Sequence, residues 1–169
     1  MIRIPKTIYN QLLAHAKAEA PAECCGLLAG REDRVGQHYR IANIIAREGA
    51  ELINFDAAKA AHLQSLSPEA RAAVAFVMDA REMSLAFKDM RARELTFMAI
   101  YHSHPRGPDH PSHTDVKIAV DFTATREALH LPEPFHIIID LTRPEHPAAK
   151  AYRITDGQIL PEKLDLLAL

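Results

Sequence analysis

Four of the ten histidines, His102, His104, His110 and His113, crowd into twelve residues, and a cluster of that density asks for a chemical reason. His102 and His104 stand at i and i+2 where an apolar run, Leu95 to Tyr101, comes to its end. Period two along a strand sends both imidazoles to one face, where they can share a metal ion, and Ser103 between them to the other. Asp115 follows where the chain re-enters a helix and can return a carboxylate to the same spot. Two His and one Asp form a three-ligand set that leaves the fourth tetrahedral position to water. That is the usual composition of a catalytic zinc site, whereas a structural site is closed by four protein ligands.

The elements that must position these residues can be read from pattern. Ile2 to Ile4 alternates as a short strand, and Pro5 to about Ala20 carries Ile8, Leu12, Leu13 and Ala16 at helical spacing. Cys25 to Gly30 reads as a buried strand. A polar turn at Arg31-Glu32-Asp33 joins it to a second strand, Val35 to Ile45. Residues 46–72 hold a short helix around Asp56 to Ser65 and a helix start at Ser67-Pro68-Glu69. Val74 to Met78 reads as a further strand. Asp79 caps a helix reaching about Arg93, with Met83, Phe87 and Met90 as its core stripe. Leu95 to Tyr101 is a strand, and the Pro105 to Pro111 loop is restricted by three prolines. Ser112 or Thr114 caps a helix from Asp115 toward Arg126. Phe135 to Leu141 and Ala149 to Ile154 are strands, with a turn at Asp156-Gly157. The order is mixed α/β around one core, so residues 1–169 are read as a single domain.

Composition narrows the function classes. The 169 residues are 48% hydrophobic and 25% charged, with a net charge of -2, which fits a globular chain and not a disordered one. There is no general electrostatic attraction to nucleic acid or to anionic membranes, and no apolar run of roughly 20 residues to span a bilayer. The N-terminus lacks the apolar core of a secretory signal. Cys24 and Cys25 are neighbours that form no disulfide framework, so the expected location is cytoplasmic and the expected state is a pair of buried strand thiols. His15, His38, His62, His130 and His146 lack ligand spacing and are expected at the surface, His136 partly buried in its strand. Arg106 and His110 could contact substrate, although a solvated role is the expectation for the exposed loop arginine, and His113, at a variable position, is expected to stay outside the site.

The segment His102-Ser103-His104-Pro105-Arg106-Gly107-Pro108-Asp109-His110-Pro111-Ser112-His113-Thr114-Asp115 resembles the JAMM motif of the MPN+ metalloproteases, H-x-H-P-x-G-x(3)-P-S-x(2)-D. All seven fixed positions match. The family also has a glutamate just before a buried Cys-Gly-Leu strand, and Glu23 stands in that place. The resemblance covers most of the chain and looks like the bacterial or archaeal single-domain type. Residues 46–72 depart from it as a longer, more helical insertion. It implies the JAB1/MPN fold, a curved mixed β-sheet flanked by helices and similar to cytidine deaminases. It implies one Zn2+ per chain on His102, His104 and Asp115, with Glu23 as general base and Ser112 reaching the developing oxyanion. The implied substrate is the peptide or isopeptide bond after the C-terminal glycine of a ubiquitin-like modifier or a β-grasp sulfur-carrier protein ending in Gly-Gly. A non-catalytic MPN scaffold is the alternative, disfavoured because every site residue is present. A nucleobase deaminase needs P-C-x-x-C, which Cys24 and Cys25 cannot supply.

Overall fold

The computed structural model describes residues 1–168. One mixed sheet of eight strands organises them, in the order β7-β6-β5-β4-β2-β3-β1-β8. The strands are β1 (Ile2–Pro5), β2 (Cys25–Arg31), β3 (Arg34–Ile41), β4 (Thr96–His104), β5 (Phe135–Asp140), β6 (Ala148–Thr155), β7 (Gln158–Glu162) and β8 (Leu164–Leu167). The helices are α1 (Lys6–Glu19), α2 (Ala57–Ser65), α3 (Pro68–Ala72), α4 (Ala80–Ala92) and α5 (His113–Ala128). This is the expected curved mixed sheet with helices packed around it. Among the described residues, no helix is long and apolar enough to cross a membrane.

Strand β4 sits near the middle, antiparallel to β2 and parallel to β5. A parallel partner needs a crossover, and α5 supplies it. Alternation along the buried strands divides their side chains between two cores. One face packs Leu28, Ala99, Tyr101 and Ile137 against Ile8 and Leu12 of α1. The other packs Cys25, Leu27 and Phe97 against Ala86 and Met90 of α4, with Met83 and Phe87 partly buried beside them. A third, smaller cluster of Ile45, Phe55, Leu63, Ala72 and Ala75 belongs to the helical segment, and Ile118 of α5 leans on it.

Several elements differ from the sequence reading. The second hairpin strand stops at Ile41, not Ile45, and Val74 to Met78 is not a strand beyond one bridge between Asn43 and Met78. The cause is Asn43. Its amide donates to the carbonyls of Glu23 and Ala75 at 3.0 and 3.1 Å, and its Oδ1 accepts from the backbone of Ile45 and Val77. That side chain takes the partners a strand ladder would need. Strand β4 runs three residues past Tyr101, so both candidate histidines lie within it. The terminal strands β7 and β8 were not expected. They are the two sheet edges, β7 largely exposed and β8 mostly half-buried, neither with the fully buried apolar face of the central strands, and Pro161 is tolerated in β7 because edge strands need not donate.

Candidate metal centre

Strand alternation within β4 points His102 and His104 to one face, and Phe76 packs on the His102 ring with centroids 4.7 Å apart. Ser103 points the other way, as expected. Its Oγ accepts from the Cys24 amide at 2.8 Å, and its own amide donates to the Cys24 carbonyl at 3.0 Å. This double clamp fixes the start of β2 against the end of β4. Cys25 is in register with His102, so continuing that register past the strand end carries Glu23 to the level of His104. Two further bonds hold the Glu23 backbone: its amide donates to the Ala72 carbonyl at 2.8 Å, and its carbonyl accepts from Asn43.

Asp115 comes from the first turn of α5. Ser112 is the N-cap and forms a capping box with it, the arrangement that satisfies two orphan amides at a helix start. Asp115 Oδ2 accepts from both the Ser112 amide and the Ser112 hydroxyl at 2.6 Å, while Ser112 Oγ accepts from the Asp115 amide. The cap that starts the helix therefore also aims the carboxylate. Of the two candidate caps, Ser112 is the one used. The loop between β4 and α5 turns at Gly107, whose φ of +68° suits glycine; a Cβ there would stand 2.8 Å from Thr142 Cγ2.

The three side chains converge. His102 Nε2 and His104 Nε2 are 3.0 Å apart, and Asp115 oxygens lie 3.3 Å from the first and 3.6 Å from the second. One ligand atom from each falls within 4.8 Å of the others. His104 Nδ1 contacts the Pro108 carbonyl at 2.6 Å. A carbonyl can only accept, so Nδ1 carries the hydrogen and Nε2 keeps its lone pair for a metal. Two imidazole nitrogens and a carboxylate facing one another at this range can hold a cation between them. The donor set fits a divalent metal of the zinc type, which takes His nitrogen and Asp oxygen.

Electrostatics separate the roles. Burial alone would raise Asp115, but the two histidines and the Ser112 hydroxyl hold its carboxyl far below the usual range. Burial alone would lower His104, yet the bonds to Asp115 and to the Pro108 carbonyl raise it on balance. Glu23 is buried and raised to about 7, chiefly by burial, with His102, His104 and Lys59 pulling the other way. A carboxyl poised near neutrality is suited to taking and giving a proton. Burial pushes the Cys24 thiol up to about 12 and the Cys25 thiol up as well, which makes them inert packing groups beside the site.

A cavity of about 180 Å³ opens beside this corner. Glu23, His104, Ser112 and Asp115 line it, together with Phe55 and Lys59 from the helical segment and Arg106 from the loop. All five residues singled out for chemistry are thus brought to one place. His110 and His113 stay exposed, as do His62, His130 and His146. Two surface assignments are corrected: His15 is buried and His38 is half-buried, because both reach the hydroxyl of Tyr101, at 2.8 and 2.7 Å. His136 is more deeply buried than expected, at 7% exposure. The sequence reading also missed Asn43. A lone Asn carries no motif, and only its four bonds in the fold reveal its part in holding Glu23.

A family model described as prokaryotic homologs of the JAB domain matches residues 5–155. The chain is 26% identical over 162 residues to the CysO-cysteine peptidase of Mycobacterium tuberculosis, across 95% of this chain and 87% of that protein. It is 29% identical over 119 residues to a probable TtuB-protein conjugate cleaving protease of Thermus thermophilus, across 70% of this chain and 64% of that one. The solution structure of a protein from Desulfitobacterium hafniense superposes with a TM-score of 0.71 at 29% identity, covering all of this chain and 94% of its own. A JAB1/MPN domain protein from Archaeoglobus fulgidus shares the fold at a TM-score of 0.51 and 14% identity, over 99% of this chain and 97% of its own. With the sheet, the strand-to-helix corner and the matched span in agreement, the chain belongs to the prokaryotic JAB-domain family.

Proposed function

We propose that this protein is a zinc-dependent metallopeptidase that hydrolyses the bond after the C-terminal glycine of a β-grasp sulfur-carrier or ubiquitin-like protein. The observation that carries the reading is the convergence of His102, His104 and Asp115 beside a buried glutamate raised to about 7. The names of the mycobacterial and Thermus relatives, a CysO-cysteine peptidase and a conjugate-cleaving protease, support a carrier conjugate as substrate.

His102, His104 and Asp115 would hold one zinc ion, which when bound supplies a Lewis acid for the scissile carbonyl and acidifies water to near neutrality. Glu23 Oε takes a proton from the attacking water and delivers it to the leaving nitrogen as the C–N bond breaks. Burial serves this role, since a carboxylate with an ordinary pKa would be too weak a base to take that proton and too strong an acid to keep it. The Ser112 hydroxyl, bonded to Asp115 before substrate enters, turns to donate to the oxyanion as the carbonyl becomes tetrahedral.

The test is intact-mass analysis of carriers extended beyond their Gly-Gly end, incubated with zinc-loaded protein and with its Glu23→Gln variant. Cleavage after the glycine by wild type, reduced by roughly 10² to 10⁴ in the variant with zinc retained, is the expected result. Near-normal turnover by Glu23→Gln removes Glu23 from the base role. Zinc bound in stoichiometric amount with no cleavage of any carrier favours the scaffold alternative.

A further inference from the structure

The cavity beside the metal corner has two cationic residues in its wall that the hydrolytic mechanism does not use, Lys59 and Arg106. They come from separate elements, Lys59 from α2 and Arg106 from the loop after β4. Neither is paired with a carboxylate among the described residues. The neighbouring cations of the helical segment are committed elsewhere. Arg71 donates to the carbonyls of Leu63, Ile45 and Leu66, and Arg47 pairs with Asp79.

Lys59 is also placed against its own helix. It is the third residue of α2, where its amide bonds the capping Asp56 carboxylate, and the first turn holds no acidic residue. A helix N-terminus favours anions and disfavours cations, so α2 does not stabilise the ammonium there. The side chain is half-buried, and it lies close enough to draw the pKa of Glu23 downward. A half-buried, unpaired cation that faces a cavity invites an anion from outside the chain.

Size and covalent chemistry say which anion. A cavity of 180 Å³ is slightly larger than the roughly 150 Å³ that accepts benzene, which suits one small amino-acid residue. When the group after the scissile bond is a single amino acid, its α-carboxylate sits two bonds from the leaving nitrogen. An isopeptide-linked lysine offers no carboxylate at that distance. We propose that Lys59, with Arg106, forms a subsite for the free α-carboxylate of a one-residue leaving group. The preferred substrate is then a carrier protein extended by one amino acid, not a carrier joined to a lysine side chain. Hydrolysis adds water across the glycyl bond and releases the carrier carboxylate and the free amino acid. This inference rests on the peptidase reading and specifies its leaving group.

The test uses two synthetic peptides ending in Gly-Gly-Ala, one a C-terminal acid and one a carboxamide, with alanine as the small one-residue leaving group. A charge-assisted contact predicts that metal-loaded protein favours the acid by on the order of 10- to 100-fold in kcat/KM. Lys59→Met should collapse that ratio toward one, Lys59→Glu should invert it, and Arg106→Gln should reduce it. The ratio isolates the carboxylate from any effect of Lys59 on Glu23. Affinity for both peptides, measured by calorimetry on the Glu23→Gln variant with and without Lys59→Met, reads the subsite apart from catalysis. Tighter binding of the acid that is lost with Lys59→Met supports the subsite, even if neither peptide is cut; absence of cutting then counts against the peptidase reading alone. Equal affinity for acid and carboxamide, or no binding of either at millimolar concentration, overturns the subsite, as does an unchanged ratio in Lys59→Met.

Discussion

Two pairs of histidines face each other across one strand. His102 and His104 project from one side of β4 and meet the carboxylate of Asp115. On the other side His15 and His38 meet the hydroxyl of Tyr101, the residue next to His102. His15, His102 and His104 are buried to a similar degree, at 5, 2 and 6% exposure, yet His104 is raised while His15 and His38 are lowered to about 4. Burial pushes every imidazole toward its neutral form, and at His104 the Asp115 carboxylate together with the Pro108 carbonyl reverses the sign. A tyrosine hydroxyl gives one hydrogen and accepts another, so it satisfies two neutral rings and attracts no cation. Burying histidines is therefore not what makes a metal site; the aimed carboxylate is.

The comparison breaks most visibly under single substitutions on the two faces. His104→Ala should lose bound metal and hydrolysis together, whereas His15→Gln should keep both. Elemental analysis beside a turnover assay decides this, and stoichiometric metal in His104→Ala would mean the ligands are misassigned.

Acid should distinguish the faces next. His15 has a folded pKa of about 4 against an unfolded value of 6.5, so the unfolded chain binds the proton first. Stability from this group is level above pH 6.5, falls as pH drops from 6.5 to 4, and levels again below. The loss is about 3 kcal/mol for His15. Urea unfolding of metal-free wild type and His15→Gln across that window should show the variant losing less, the difference cancelling what other histidines contribute. Parallel curves would contradict a neutral buried His15.

Tyr101→Phe removes the shared hydroxyl and leaves two ring nitrogens without their partner. It should cost about 1–3 kcal/mol of stability with metal stoichiometry unchanged, read from urea midpoints and elemental analysis. Metal loss in this variant would show that the two faces are not independent. The smallest effect is expected from Ser103→Ala, about 1 kcal/mol for the lost acceptor of the Cys24 amide. If its turnover falls further than its stability, the clamp is positioning Glu23 and not merely joining strands.

The metal corner was legible early because its geometry is local. Period two in β4 and one capping box at Ser112 and Asp115 bring three ligands together, and each rule operates within a few residues. The pattern also identified the central strands and α1 and α4, where burial writes an apolar period, and α5 from its cap signal, since that helix buries none of its residues. It failed at 74–78 and 42–45, where a single side chain, Asn43, replaces the ladder, and at β7 and β8, edge strands without the fully buried apolar face of the central strands. His15 and His38 were misread for another reason. Their partner, Tyr101, is 86 and 63 residues away, and the space it occupies exists because Gly26 has no Cβ; one built there would stand 2.4 Å from the Tyr101 ring and hydroxyl.

By itself the sequence determined which residues are the candidates for chemistry and the family to which the chain belongs, since ligand type, spacing and capping are short-range properties. Tertiary structure alone decided what surrounds them. It placed Glu23 beside the ligands through Ser103, Ala72 and Asn43, and buried it enough to raise its carboxyl. It folded the 46–72 segment over the corner as a wall bearing Lys59. Those outcomes depend on contacts between residues far apart in the chain, and no local pattern encodes the distance between them.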